Sequence, residues 1–277
     1  MSGLVFAAIA PHGSLAIPEA CSPEERGLAT STQQAMAELG RRFTAARPDV
    51  TIIFTPHNTH VEGSMAVITA GNLSGSLSDW TKERIELRAA TDRDLARAAI
   101  DALNAADVPA VGVSYGGNDA ASATAPMDWG VLIPLWFMGG RAAPPVPVVV
   151  VSPARDRSLD DHLRAGRALA AMAAASGKRV AMIASADHGH AHRVDGPYGF
   201  DPAAADYDGR VADLVRANHL SGLLEIDPTL VAAAKADSFW QMLMLHGAIG
   251  DGWNAEFLSY EAPTYFGMLC AAFSTQG

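Results

Sequence analysis

The chain has 277 residues, 49% hydrophobic and 18% charged, with 25 glycines and 16 prolines spread along it. This composition describes a globular chain with a large core and excludes a disordered or fibrous one. A formal net charge of −10 with no cluster of lysine or arginine excludes nucleic acid and an anionic membrane surface as partners, leaving a small molecule or another protein.

Taken in order, the first apolar run, Leu4–Ala10, has no basic stretch before it and stops at Pro11-His12-Gly13. It reads as a buried strand and not as a signal peptide. A helical pattern over Pro23–Ala46 precedes a second strand, Val50–Thr55, which runs into Pro56-His57, and a third, Met65–Ala70. Thr91–Ala106 reads as a helix with Asp92 at its cap, Val111–Tyr115 as a strand, and Met127–Met138 as a helix. The Gly-, Ala- and Pro-rich stretch Gly139–Pro147 is a loop leading into the strand Val146–Val151. Helix Ser158–Ser176 opens on the capping pattern Ser158-Leu-Asp-Asp161 and leads to the strand Arg179–Ala184. Helices follow over Ala203–Ala217, Pro228–Ala236 and Ser238–Ile249. The alternation predicts an α/β protein: a single domain over residues 1–277 with a mainly parallel or mixed central sheet and helices on both faces. No run reaches the ~18 apolar residues of a membrane span. Cys21 and Cys270 form neither a disulfide framework nor a CxxC zinc pair, so a reducing, cytoplasmic setting is expected.

The histidines stand where strands end. His12 follows the first strand, His57 the second with His60 close behind, and Asp187-His188-Gly189-His190-Ala191-His192 follows the strand at Arg179. In an open α/β sheet the loops at the strand ends build the site. Two imidazoles on rigid elements plus a carboxylate on one face suit a metal and leave positions free for other ligands. Histidine-plus-carboxylate ligation fits a zinc hydrolase as well as an iron site. His188, His190 and His192 alternate, so on extended backbone all three share one face, where they could merely line a solvated edge.

These motifs, in this order, resemble the LigB-type class III extradiol dioxygenases and their Memo-like relatives. Pro11-His12 and Ile52-Ile53-Phe54-Thr55-Pro56-His57 look like the segments carrying the first two metal histidines. Ser185-Ala-Asp-His-Gly-His190, followed by Gly196-Pro-Tyr198-Gly, is similar to the segment of the acid/base histidine. Phe239–Ile249 resembles the helix after the third ligand, and the likeness covers essentially the whole chain. The resemblance implies a non-haem Fe(2+) enzyme that opens a catecholic or aminophenolic ring with O2. His12, His57 and Asp237 would hold the metal. His190 would move protons, with His192 as the competing assignment. A neutral-pH proton carrier suits imidazole, whose ordinary pKa is about 6.5.

Two positions depart from the family pattern. Asp237 stands where a glutamate is usual, which makes Glu261 the fallback ligand or a pocket residue. In Met127-Asp-Trp129-Gly, a tryptophan stands where several ring-cleaving branches have a histidine; an indole only donates a hydrogen bond. His60, Trp129, Tyr198 and Glu261 are expected to line the substrate pocket. The resemblance also implies a homo-oligomer or a small partner subunit. The alternative it implies is a Memo-like metal-binding protein of the same fold without ring-cleaving activity.

Overall fold

Each β-branched run of the sequence becomes a strand of one sheet, and the helices between them close over its two faces. The computed structural model of the chain describes residues 3–78 and 84–275. Its elements in order are β1 (Gly3–Ala10), α1 (Thr30–Ala46), β2 (Val50–Phe54), β3 (Met65–Ile68), β4 (Asn72–Ser76), β5 (Glu86–Ala90), α2 (Arg93–Ala105), β6 (Ala110–Val113) and β7 (Thr124–Pro126). They continue with α3 (Trp129–Phe137), β8 (Val148–Ser152), α4 (Leu159–Ala175), β9 (Arg179–Ser185), α5 (Ala203–Arg216), α6 (Pro228–Ala233), α7 (Phe239–Ile249), β10 (Trp253–Glu261) and β11 (Met268–Thr275).

The main sheet has eight strands in the order β10-β11-β1-β9-β2-β8-β3-β6, and β5-β4-β7 form a smaller one. At its centre β1, β9, β2 and β8 run parallel, so their carboxyl ends lie along one edge. β3 is antiparallel to β8, and β11 is antiparallel to β1, which makes the sheet mixed. Side chains alternate across it as the pleat requires. Ile52, Phe54, Val149 and Val151 pack into a core with α2, α4, α5 and α7, while Ile53, Val148 and Val150 pack into a second core with α1 and α3. The fold is thus the α/β arrangement with helices on both faces. No helix among the described residues is long and apolar enough to cross a membrane.

Three differences from the sequence reading have physical causes. The helix expected from Pro23 begins at Thr30, because Gly27 sits at φ +90° and cannot continue a right-handed helix. The helix expected to reach Ala236 stops at Ala233, where Lys235 at φ +54° turns the chain toward α7. Strands β4, β5, β7, β10 and β11 have no counterpart among the elements expected from the sequence. The first two are short and polar on one face, β7 is a three-residue stretch, and β10 and β11 carry no turn dipeptide between them.

α7 is seated by close contact with α4. A Cβ on Gly166 would lie 2.0 Å from the Met244 carbonyl oxygen, and one on Gly247 would lie 2.3 Å from that of Leu163. Only glycines let the two backbones touch, and that contact fixes where the residues just before α7 lie.

Candidate metal centre

The carboxyl ends of β1, β2 and β9 deliver His12, His57 and Asp187, and the turn into α7 delivers Asp237. His12 Nε2 is 3.0 Å from His57 Nε2 and 3.5 Å from Asp237 Oδ2, and His57 Nε2 is 3.1 Å from the same oxygen. One ligand atom from each of these three residues lies within 4.8 Å of the others. His12 and Asp237 are buried, while His57 is partly open.

The partners of His12 fix which nitrogen faces this cluster. Its Nδ1 is 2.9 Å from Ser185 Oγ, and Ser185 donates its single hydroxyl hydrogen to the Gly130 carbonyl. A carbonyl only accepts, so Ser185 must accept from Nδ1–H, and Nε2 is the nitrogen that faces His57 and Asp237, with a lone pair to offer a cation that displaces its proton. The backbone N–H of His12 donates to Asp187 Oδ1 at 2.9 Å, and Asp187 Oδ2 is 3.4 Å from His12 Nε2. Burial works against charging His12, but Asp187 and Asp237 outweigh it and raise its pKa to about 9. Burial works against an ionised Asp237 too, and the imidazoles of His12 and His57 outweigh it and hold the carboxyl far below its usual range. Asp237 Oδ1 is buried with no hydrogen-bond partner. Two converging ring nitrogens, an ionised carboxylate and an orphaned carboxylate oxygen are the donor set a divalent cation would satisfy.

Asp237 is held from behind. Gln241 on α7 donates to the backbone carbonyls of Asp237 at 2.7 Å and Ser185 at 3.1 Å, tying the turn before α7 to the end of β9. His57 is held from the side by Trp129 at the start of α3, its ring centroid 4.6 Å away and tilted by 36°. Asp128 caps α3, accepting from Val131 N at 3.2 Å and from Asn58 Nδ2 at 2.8 Å.

Beside the cluster opens a cavity of about 580 Å³ lined by His57, Asp237, His190, His60, Tyr198 and Arg155, with Val231, Phe239 and Trp240 among its apolar walls. His190 Nδ1 donates to the His188 carbonyl at 2.7 Å, which leaves Nε2 of the neutral ring with its lone pair. The ring stacks on Phe266 at 5.5 Å and meets Tyr198 edge-on at 5.9 Å, and its backbone N–H donates to the Ala234 carbonyl at 2.8 Å. His60 Nε2 donates to the Pro56 carbonyl at 3.1 Å.

Two of the residues singled out in the sequence lie elsewhere. His192 Nε2 is 2.8 Å from Asp208 Oδ2, a buried oxygen that also accepts from Tyr260 OH at 2.7 Å, and His192 does not line the cavity. Glu261 Oε1 accepts from the backbone N–H of Thr32 at 2.6 Å, so it covers the amino end of α1, and it belongs neither to the histidine cluster nor to the cavity wall. Trp129 touches His57 and is not part of the cavity wall. The sequence alone does not single out Ser185, Asp187, Gln241 or Arg155 as contributors. Arg155 carried a usable signal, since it follows Ser152-Pro153-Ala154 at a strand end, the position that singled out the histidines.

The fold and this geometry define an α/β protein with two histidines and an aspartate gathered at the carboxyl edge of a parallel strand set. The chain belongs to the LigB family, described as the catalytic LigB subunit of aromatic ring-opening dioxygenase, which it matches over residues 6–271. It is 23% identical over 252 residues to Protein CA_C1420 of Clostridium acetobutylicum, a match covering 91% of this chain and 53% of that protein. The chain therefore spans about half the length of this curated relative. An uncharacterized protein of Escherichia coli K12, JW3007, has the same fold: a TM-score of 0.59, with 97% of this chain and 99% of that one covered at 18% identity.

Proposed function

We propose that the protein is a non-haem iron(II) extradiol dioxygenase that opens the ring of a catecholic or aminophenolic compound with O2. The observation that carries this reading is the convergence of His12 Nε2, His57 Nε2 and an Asp237 carboxylate oxygen beside a cavity walled by His190, with a free ring nitrogen, and by apolar side chains. Ferrous iron held by two histidines and a carboxylate on one face would keep positions for a chelating substrate and for oxygen, and would pass electrons between them.

The chain's own residues supply the rest. Ser185 keeps the His12 lone pair turned to the cluster, and Asp237 contributes the negative charge. His190 Nε2 takes the proton of a substrate hydroxyl and returns it as the ring opens, its Nδ1–H fixed on the His188 carbonyl. Val231, Phe239 and Trp240 enclose the aromatic ring and keep water from it. Trp129 does not titrate, so the proton work falls on His190 while the indole holds the His57 ring in place. That same non-titrating Trp129 favours the second reading, a Memo-like metal-binding protein without ring cleavage.

The test is anaerobic reconstitution with ferrous iron, followed by oxygen-electrode traces against catechols, protocatechuates and aminophenols. Uptake with a yellow ring-opened product is the expected result. Tight metal binding with no uptake across the panel would transfer the case to the second reading, and zinc-dependent ester turnover would refute both.

A further inference from the structure

The charges lining the cavity do not balance. Among the described residues that line it, Asp237 is the one carboxylate, against the cations Arg155, Arg157 and Lys235. Arg157 is engaged outside, donating from Nε to Asp161 Oδ2 at 2.8 Å. Arg155 has no such partner: its Nε is buried without any hydrogen bond, and its guanidinium carbon lies 4.7 Å from the Trp240 ring centroid. Burial lowers its pKa, against the through-space pull of Asp237, yet a guanidinium keeps its proton at any physiological pH. Asp237 does not take it as a partner: its Oδ2 is turned to the imidazoles at 3.1 and 3.5 Å, and its Oδ1 makes no hydrogen bond.

A charged donor withdrawn from water and left unfilled costs free energy that a ligand anion offsets. Stacking on an indole face holds the planar fork in one orientation, and that fork matches a carboxylate through two parallel N–H bonds. Arg155 also stands at the right edge of the sheet. It follows the end of β8 as His57 follows the end of β2, and Val151 and Phe54 near those ends are register partners. Between them lie the apolar walls Val231, Phe239 and Trp240, which suit an aromatic ring or a short methylene spacer.

We infer that Arg155 is the specificity-determining residue of this cavity and binds a carboxylate carried by the aromatic substrate, remote from the ring atoms that meet the histidine cluster. The inference rests on reading the cavity as the substrate pocket, and its test does not depend on ring cleavage. Metal-free protein is titrated calorimetrically under argon with 3,4-dihydroxybenzoate, 3,4-dihydroxyphenylacetate and 3-(3,4-dihydroxyphenyl)propionate, and with the methyl ester of each. The wild type should bind at least one acid about tenfold or more tightly than its ester. Arg155→Gln should weaken that acid by about 10- to 100-fold, the scale of hydrogen bonds to a charged group, and leave the ester within about twofold. Arg155→Lys should keep part of the preference by keeping the charge, and thermal unfolding of both variants checks that they fold. Equal affinity of the wild type for acid and ester, binding of none of the acids, or equal loss of acid and ester in Arg155→Gln would overturn the inference. The last result would mark Arg155 as a prop for Trp240. A protein that prefers the acids yet consumes no oxygen once loaded with iron would sink the dioxygenase reading and leave the role of Arg155 standing.

Discussion

Ser185→Ala takes one oxygen from beneath His12 and leaves every proposed ligand in place. The lost hydroxyl accepts from His12 Nδ1 at 2.9 Å and donates to the Gly130 carbonyl, in a fully buried position. Both partners are then left unfilled in the interior, and one neutral hydrogen bond at about 1 kcal/mol with one from the charged His12 ring at about 1.5 to 3 kcal/mol puts the loss of stability near ~2.5 to 4 kcal/mol in the metal-free protein. The larger effect falls on the metal. Without an acceptor at Nδ1 the His12 ring has no reason to keep its lone pair at Nε2, and loss of such an outer partner weakens a metal site by about 10- to 100-fold. That is ~1.4 to 2.8 kcal/mol of binding free energy at 1.4 per tenfold. The assay is a competitive titration of metal-free wild type and variant with ferrous iron against a chelating indicator, paired with urea unfolding of the metal-free proteins. A variant that loses stability but binds the metal within about twofold of the wild type would refute the argument that Ser185 sets the tautomer of His12.

Other substitutions separate roles that the sequence left merged. His190→Ala should cut turnover by about a hundredfold or more while metal stays bound; loss of metal from that variant would mark His190 as a ligand. His192→Ala should leave turnover nearly intact and destabilise the fold by about 1 to 3 kcal/mol in urea, because the buried Asp208 carboxylate loses a hydrogen-bond donor. Glu261→Ala should cost about 1 kcal/mol by uncovering the amino end of α1, with no change in metal content; a loss of metal would restore Glu261 as a ligand. Buried His162 donates from Nδ1 to the Ser158 carbonyl, has no partner at Nε2, and burial lowers its pKa from the usual 6.5. The unfolded chain therefore takes up this proton before the folded one does, so stability present above pH 6.5 is lost as pH falls from 6.5 to the lower folded value, by up to ~1.4 kcal/mol per pH unit. His162→Leu should remove that acid limb from the urea midpoints measured between pH 7 and 5, and an unchanged limb would assign it to other groups.

The parallel centre of the sheet was legible because its strands are buried on both faces and so read as unbroken apolar runs, such as Val148-Val149-Val150-Val151. The edges were not. In β4 the sequence Asn-Leu-Ser-Gly-Ser buries only Leu73, and β10 alternates half-buried and exposed residues, so neither stands out from a loop. His12 and His57 could be placed because each ends such a strand after a proline. The choice between His190 and His192 could not be made from the chain alone. The two residues lie on the same short segment, and what separates them is Asp208, contributed by the middle of α5. The contact of Glu261 with α1 was hidden for a similar reason, since its partner Thr32 is far away in sequence and donates only a backbone N–H.

The hydrogen bond from His190 N–H to the Ala234 carbonyl joins the loop after β9 to the turn that carries Asp237. It is a main-chain link, so it survives a change of side chain at Lys235 that keeps the left-handed turn there, whereas Ala234 and Ala236 on either side are buried in the core. Evolution can therefore repaint the rim of the cavity at Lys235, altering what enters, without disturbing the spacing between the carboxylate and the histidine across it. Directed evolution for new substrates would do well to begin at Lys235, which is exposed and lines the cavity.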